Sequence, residues 1–288
     1  MQRFALLPIL LTIAAVPLFA LASIPPARAQ DATDWDAQAH AAARLIAGSL
    51  NKSSGTVFLR AGVEIKLDPG WKTYWRDPGD SGSPPMLDFS GSDNVKAVTV
   101  LWPAPERFPD GAGGNSIGYL DHVILPLRIA PGDAAKHASL RLKLGYDVCG
   151  TMCVPVEANL ELPLSGDGAA EPVLEKAEIR VPRRMAVGEG KDGQGLAILS
   201  VHREPGDAHE RVVVDVAAPP GASVDLFVEG PTSEWSLPLP EPTGGDGPTR
   251  HFSFDLDGLP PDTHAKGATL TFTAVSGDDA IEVPAHLD

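Results

Sequence analysis

The chain has 288 residues, with 38 acidic side chains against 23 Lys and Arg and a formal charge of -15. That balance excludes a protein that neutralises nucleic-acid phosphates or docks on an anionic membrane through a basic face. Apolar residues at 43% and charged ones at 21% exclude compositional disorder, while 29 Gly and 28 Pro disfavour a helical protein and suit short strands joined by turns.

Residues 1–29 read as a secretory signal peptide. Arg3 opens a short positive region, an apolar run follows from Phe4 to about Ile24, and Ala27-Arg28-Ala29 is a small-x-small cleavage site. Cleavage removes two arginines and no acid, so the mature chain is more acidic still. No later stretch is apolar for long enough to span a bilayer. The expected product lies outside the cytoplasm, with no membrane insertion after signal cleavage and no nucleic-acid partner, in a compartment where disulfides persist.

The Ala-rich segment 31–55 is ambiguous: Ala39–Leu50 fits a short helix, and Ala43–Ala47 fits an edge strand. Period-two alternation then predicts half-buried strands at Val57–Leu67, Val95–Trp102, Val123–Ile129, Leu140–Leu144 and Val156–Leu162. Turn clusters separate them at Asp68-Pro-Gly, Arg76–Gly82, Asp110–Ser116 and Ala130–Asp133. Residues 166–189 read as a linker with a short helix near Pro172–Ala177. A second series follows at Leu196–Val201, Arg211–Val216, Ser223–Val228, His251–Leu256 and Ala268–Val275. The expected architecture is all-β: two immunoglobulin-like β-sandwich domains, 30–165 and 190–288, joined by a short linker after a cleaved signal peptide.

Both cysteines of the chain, Cys149 and Cys153, lie in one segment with Gly150-Thr151-Met152 between them. Strand-like residues flank them, so the pair caps a hairpin or strand corner, with Gly150 supplying turn freedom. A chain of this length has core enough without a local staple. A small ring between near neighbours belongs to the readily reduced kind of disulfide. Spacing alone leaves three readings: a redox-active pair, a structural disulfide, or a Cu(I) site of Cys149, Met152 and Cys153. No cofactor is implied.

Trp71, Tyr74 and Trp75 read either as sandwich core or as a wall beside the cysteines and a contact for a partner. Tyr146 and Asp147 are placed to tune the thiols, a carboxylate raising a thiol pKa; Asp147 reads equally as a solvated strand end. Gly79-Asp-Ser-Gly82 resembles a serine-protease nucleophile segment, but only His40 precedes it in the mature chain and the expected order of partners is missing, so it reads as a turn. Gly111–Gly114 lacks the Lys-Ser/Thr of a phosphate loop, and the 8 His form no ligand spacing.

Four stretches in order resemble the N-terminal periplasmic domain of the DsbD family of disulfide reductases, in particular its ScsB-like branch, associated with suppression of copper sensitivity. They are Pro69–Gly82 (PGWKTYWRDPGDSG), Leu101–Phe108 (LWPAPERF), Gly118–Pro126 (GYLDHVILP) and Tyr146–Pro155 (YDVCGTMCVP). The resemblance implies an immunoglobulin-like sandwich whose cysteine pair relays reducing equivalents to or from thioredoxin-like periplasmic proteins, as a protein-disulfide reductase component. It implies that Cys153 forms the mixed disulfide with a partner and that Cys149 resolves it. Other members place more residues between the cysteines and shield them with an aromatic cap loop. Here the matching region is Gly-rich, leaving Phe108, Ile117 and Tyr119 as the shielding candidates. The family also continues into a membrane conduit and a thioredoxin-like domain. The expected electron supply here is a separate membrane thiol-electron conduit.

Overall fold

The computed structural model describes residues 31–53, 56–190, 195–206, 208–245 and 247–288. The signal-peptide segment 1–29 lies outside the described residues. Eleven strands come first: β1 (Asp36–Gln38), β2 (Ala41–Ser53), β3 (Thr56–Leu67), β4 (Lys72–Gly79), β5 (Met86–Asp88), β6 (Val95–Val100), β7 (Glu106–Pro109), β8 (Asn115–Leu120), β9 (His122–Pro131), β10 (Ala138–Cys149) and β11 (Cys153–Leu164). One helix, α1 (Glu171–Ile179), leads to β12 (Arg183–Arg184), β13 (Ala197–Glu204), β14 (Arg211–Ala217), β15 (Asp225–Glu229), β16 (Glu241–Gly244), β17 (Thr249–Asp255), β18 (Thr269–Ser276) and β19 (Asp279–His286). The chain thus forms the expected all-β class, two immunoglobulin-like sandwiches.

In the first sandwich, the sheet β1-β2-β3-β9-β6 faces the sheet β11-β10-β4-β8-β7, with β5 added against β10. Alternation decides which side chains meet between them. Ala43, Leu45, Val63, Ile65, Leu125 and Leu127 point inward from one sheet, and Trp75, Leu140, Leu142, Leu144, Val148 and Leu162 from the other. Within the ambiguous segment, Ala41–Ser53 therefore resolves as strand, not helix. Ala43, Leu45 and Ala47 supply its inward period-two face, and the short β1 lies outside it, so β2 is not the edge. Ile46, on the opposite face, is covered by Leu174 and Ala177 of α1 together with Ile124. The guanidinium of Arg60 beneath the helix is paired with Glu171 and Glu178.

The second sandwich stacks β12-β19-β18-β15 on β13-β14-β17-β16 around Val212, Val214, Phe252, Phe254, Leu270, Phe272 and Ile281. Sequence reasoning missed β19 because Pro284 interrupts its alternation. Pro284 lies opposite Thr271 of β18, and β12 pairs with β19 at Ile281 and Glu282, so no β12 ladder bond is asked of the proline nitrogen. Phe227 and Leu239 of this sandwich pack into the core of the first.

Candidate functional site

A long hairpin carries the cysteines. β10 and β11 pair in unbroken register from Ala138 opposite Leu164 to Cys149 opposite Cys153. The turn is closed by the Gly150 N–H donating to the Met152 carbonyl at 3.0 Å. The two cysteines, their Cα atoms 4.0 Å apart, form a disulfide across the hairpin mouth. Their environments differ. Cys149 is 1% exposed, because β4 pairs on its other side through Lys72. Cys153 is exposed, because β11 ends the sheet and pairs with β10 alone.

β4 brings the next residue of the site. Its alternation sends Thr73 and Trp75 inward and Tyr74 outward, onto the face that carries Cys149. The Tyr74 hydroxyl lies 3.2 Å from Cys149 Sγ and 3.4 Å from Cys153 Sγ. Thr73 Oγ1 donates to the Asp147 carbonyl at 2.9 Å and ties β4 to β10 beside the sulfurs. Burial raises the Tyr74 pKa, and the negative charge of Asp147 raises it further. The phenol therefore stays protonated as a donor at neutral pH. Gly82 closes over its ring: with φ at +114°, a Cβ there would sit 2.3 Å from Tyr74.

Trp71 flanks the other side of the turn. A Cβ on Gly150 would meet its ring at 2.9 Å. Gly150 is thus required for close approach, and its φ is not positive, which corrects the expectation of turn freedom. His40 stacks on Trp71 at 3.7 Å between centroids, held by Asp68 at 2.8 Å.

The expected shielding residues divide. Phe108 lies on the outer face, where Lys72, the register partner of Cys149, places its Nζ 5.6 Å from the ring. Ile117 and Tyr119 point into the core and shield nothing at the sulfurs; the Tyr119 hydroxyl donates to the Pro103 carbonyl at 2.9 Å. Trp75 is fully buried and belongs to the core. Tyr146 is also inward, its hydroxyl buried without a partner among the described residues and its pKa pushed up to about 12 by burial. It cannot tune the thiols. Asp147 acts instead on Tyr74. Met152 is 66% exposed at the turn, and the sulfurs of Cys149 and Cys153 are bonded to each other rather than held as free thiolate ligands. Sequence reasoning missed Lys72, Gly82 and His40 as neighbours of the site. Only Lys72 had a signal: two residues before Tyr74, it shares that residue's strand face.

Residues 50–165 match the family model described as "Thiol:disulfide interchange protein DsbD, N-terminal"; this part of the chain is a DsbD N-terminal-like domain. The whole structure is similar to the crystal structure of the N-terminal periplasmic domain of ScsB from Proteus mirabilis. The TM-score is 0.69 at 23% identity, over 89% of this chain and 98% of that one, so the likeness in fold extends through both sandwiches. The search of curated proteins finds no match.

Proposed function

We propose that this DsbD N-terminal-like domain exchanges thiols and disulfides with protein partners through Cys149 and Cys153. The observation that carries the proposal is the unequal exposure of the two sulfurs beneath one phenol. A nucleophile can reach Cys153 but not Cys149, so attack and release are assigned to different atoms.

In the reducing half-cycle, a partner thiolate attacks Cys153 Sγ. The Cys149–Cys153 bond breaks, a mixed disulfide forms at Cys153, and the electron pair goes to Cys149 Sγ. Tyr74 donates its hydroxyl hydrogen bond to that leaving sulfur, which then takes a proton from solvent. The partner's second thiolate attacks its own bridged sulfur and releases Cys153. The partner ends oxidised and this chain holds two thiols. Delivery runs in reverse: the Cys153 thiolate attacks an acceptor disulfide, and Cys149 closes the ring and frees the reduced acceptor. The donor and acceptor class that fits is thioredoxin-like periplasmic proteins, supplied by a membrane thiol conduit. The signal-like N-terminus supports export. Among the described residues, no helix is long and apolar enough to cross a membrane.

The test is trapping. Cys149→Ser should accumulate a mixed disulfide through Cys153 with a thioredoxin-like protein, and Cys153→Ser should not. The potential of the wild-type pair should lie above the roughly -300 mV of structural disulfides. A value below that limit with no trapped complex overturns the proposal.

A further inference from the structure

The second sandwich is tied to the strands that frame the disulfide. Directly after Tyr74, the ring of Trp75 packs against Phe227 of the second sandwich, with centroids 6.0 Å apart. Arg76 follows. Its guanidinium makes a two-pronged pair with Glu229, Nε to Oε1 at 2.8 Å and Nη2 to Oε2 at 2.7 Å, and Nη2 also reaches Glu282 at 2.7 Å. The chain then turns through Asp77–Ser81 to Gly82, which lies on the Tyr74 ring. A crevice of ≈ 600 Å³ separates this turn from residues 230–237. Among the described residues, Trp75 and Arg76 tie the stretch 74–82 to the second sandwich on this side. A second tie runs through β7: Arg107, adjacent to Phe108, pairs with Asp225 at 3.0 Å and Glu241 at 2.9 Å.

We infer that Arg76 is a positioning residue for thiol exchange, and that the second sandwich, through Glu229 and Glu282, holds the Tyr74 hydroxyl over the two sulfurs. Arg76 touches neither sulfur; it acts by fixing the backbone that carries Tyr74. A planar, always-charged fork held by two carboxylates fixes direction as well as distance, which a single lysine would not. The inference rests on the exchange function proposed above.

The experiment is a double-mutant cycle on the full chain, read as the rate of Cys149–Cys153 reduction by dithiothreitol and as the ultraviolet titration of the phenols. The chain has 3 tyrosines, and the Tyr74→Phe spectrum identifies the contribution of Tyr74. Arg76→Gln should slow reduction by about the fivefold factor that one ordinary hydrogen bond represents. Tyr74→Phe in that background should cost nothing more, and the Tyr74 titration should move down toward that of an exposed phenol. Glu229→Gln, made in the second sandwich, should reproduce both effects and keeps the test open if Arg76→Gln does not fold. Arg141→Gln, which breaks a surface pair with Glu161, should change neither. Independent, multiplying effects of Arg76→Gln and Tyr74→Phe, or an unmoved Tyr74 titration in both interface variants, would overturn the inference. The titration needs no redox partner, so it reads the positioning role even if Cys149→Ser traps nothing.

Discussion

Tyr74 and Cys149, 75 residues apart in sequence, meet at 3.2 Å on the outer face of a sheet whose inner face is the core of the first sandwich. The contact gives a leaving sulfur a hydrogen-bond donor that burial keeps protonated. The same phenol is 3.4 Å from Cys153, so one side chain spans the bond that must break.

Tyr74→Phe tests that donor directly. The ring, and with it the contact with Gly82, is retained, so the fold should survive. The hydrogen bond to the developing Cys149 thiolate is lost, worth about 1–1.5 kcal/mol, and reduction by dithiothreitol at pH 7 should slow by roughly five- to tenfold. Stopped-flow rates beside a thermal melt separate the two effects. An unchanged rate with an unchanged melting temperature would remove Tyr74 from the mechanism.

Gly150→Ala tests the Trp71 contact. An added Cβ would lie 2.9 Å from the indole, so the ring or the turn must shift, at a cost of about 1–3 kcal/mol. Trp71→Ala should relieve most of that cost in the double variant, because the two sites share one contact. Denaturant unfolding of the four proteins measures the coupling. Simple additivity would mean that the turn, and not Trp71, requires glycine.

Tyr146→Phe tests whether that residue belongs to the core or to the site. Removing a hydroxyl buried without a partner should leave stability unchanged or raise it at neutral pH, with exchange rates unaffected. Its folded pKa is raised from the ordinary 10.0 to about 12, so the folded state holds this proton more tightly than the unfolded chain does. The linked stability is fully present below pH 10 and is lost as pH rises through about 12. The variant should therefore lose less stability than wild type across that window. An identical alkaline decline in both proteins would contradict the burial of the phenol.

Much of this was legible in the residues. The alternating Leu140, Leu142 and Leu144, then Val156, Leu160 and Leu162, announce two strands, and the cysteines between them announce a hairpin mouth. β4 was not legible as a strand, because Thr73, Tyr74 and Trp75 are all buried. The inner pair faces the core, and Tyr74 is covered on the outer face by Gly82 and the disulfide, which erases the polar half of the alternation. Ile117 and Tyr119 misled for the complementary reason: a place in the segment that matches the family's cap loop carries no mark of which sheet face a side chain takes.

By itself, the sequence determined what is local. Period-two apolar residues and a turn between close cysteines fix a hairpin and its register, because neighbouring strands pair through backbone bonds that follow from alternation. Only the tertiary structure decided which sulfur is open and what lies over it. Cys149 is closed by β4, Cys153 is left open at the end of the sheet, and Arg76 reaches Glu229 across 153 residues of chain. Those relationships exist only once separate strands and both sandwiches have packed, since no residue's own preference encodes who its neighbour from a distant strand will be.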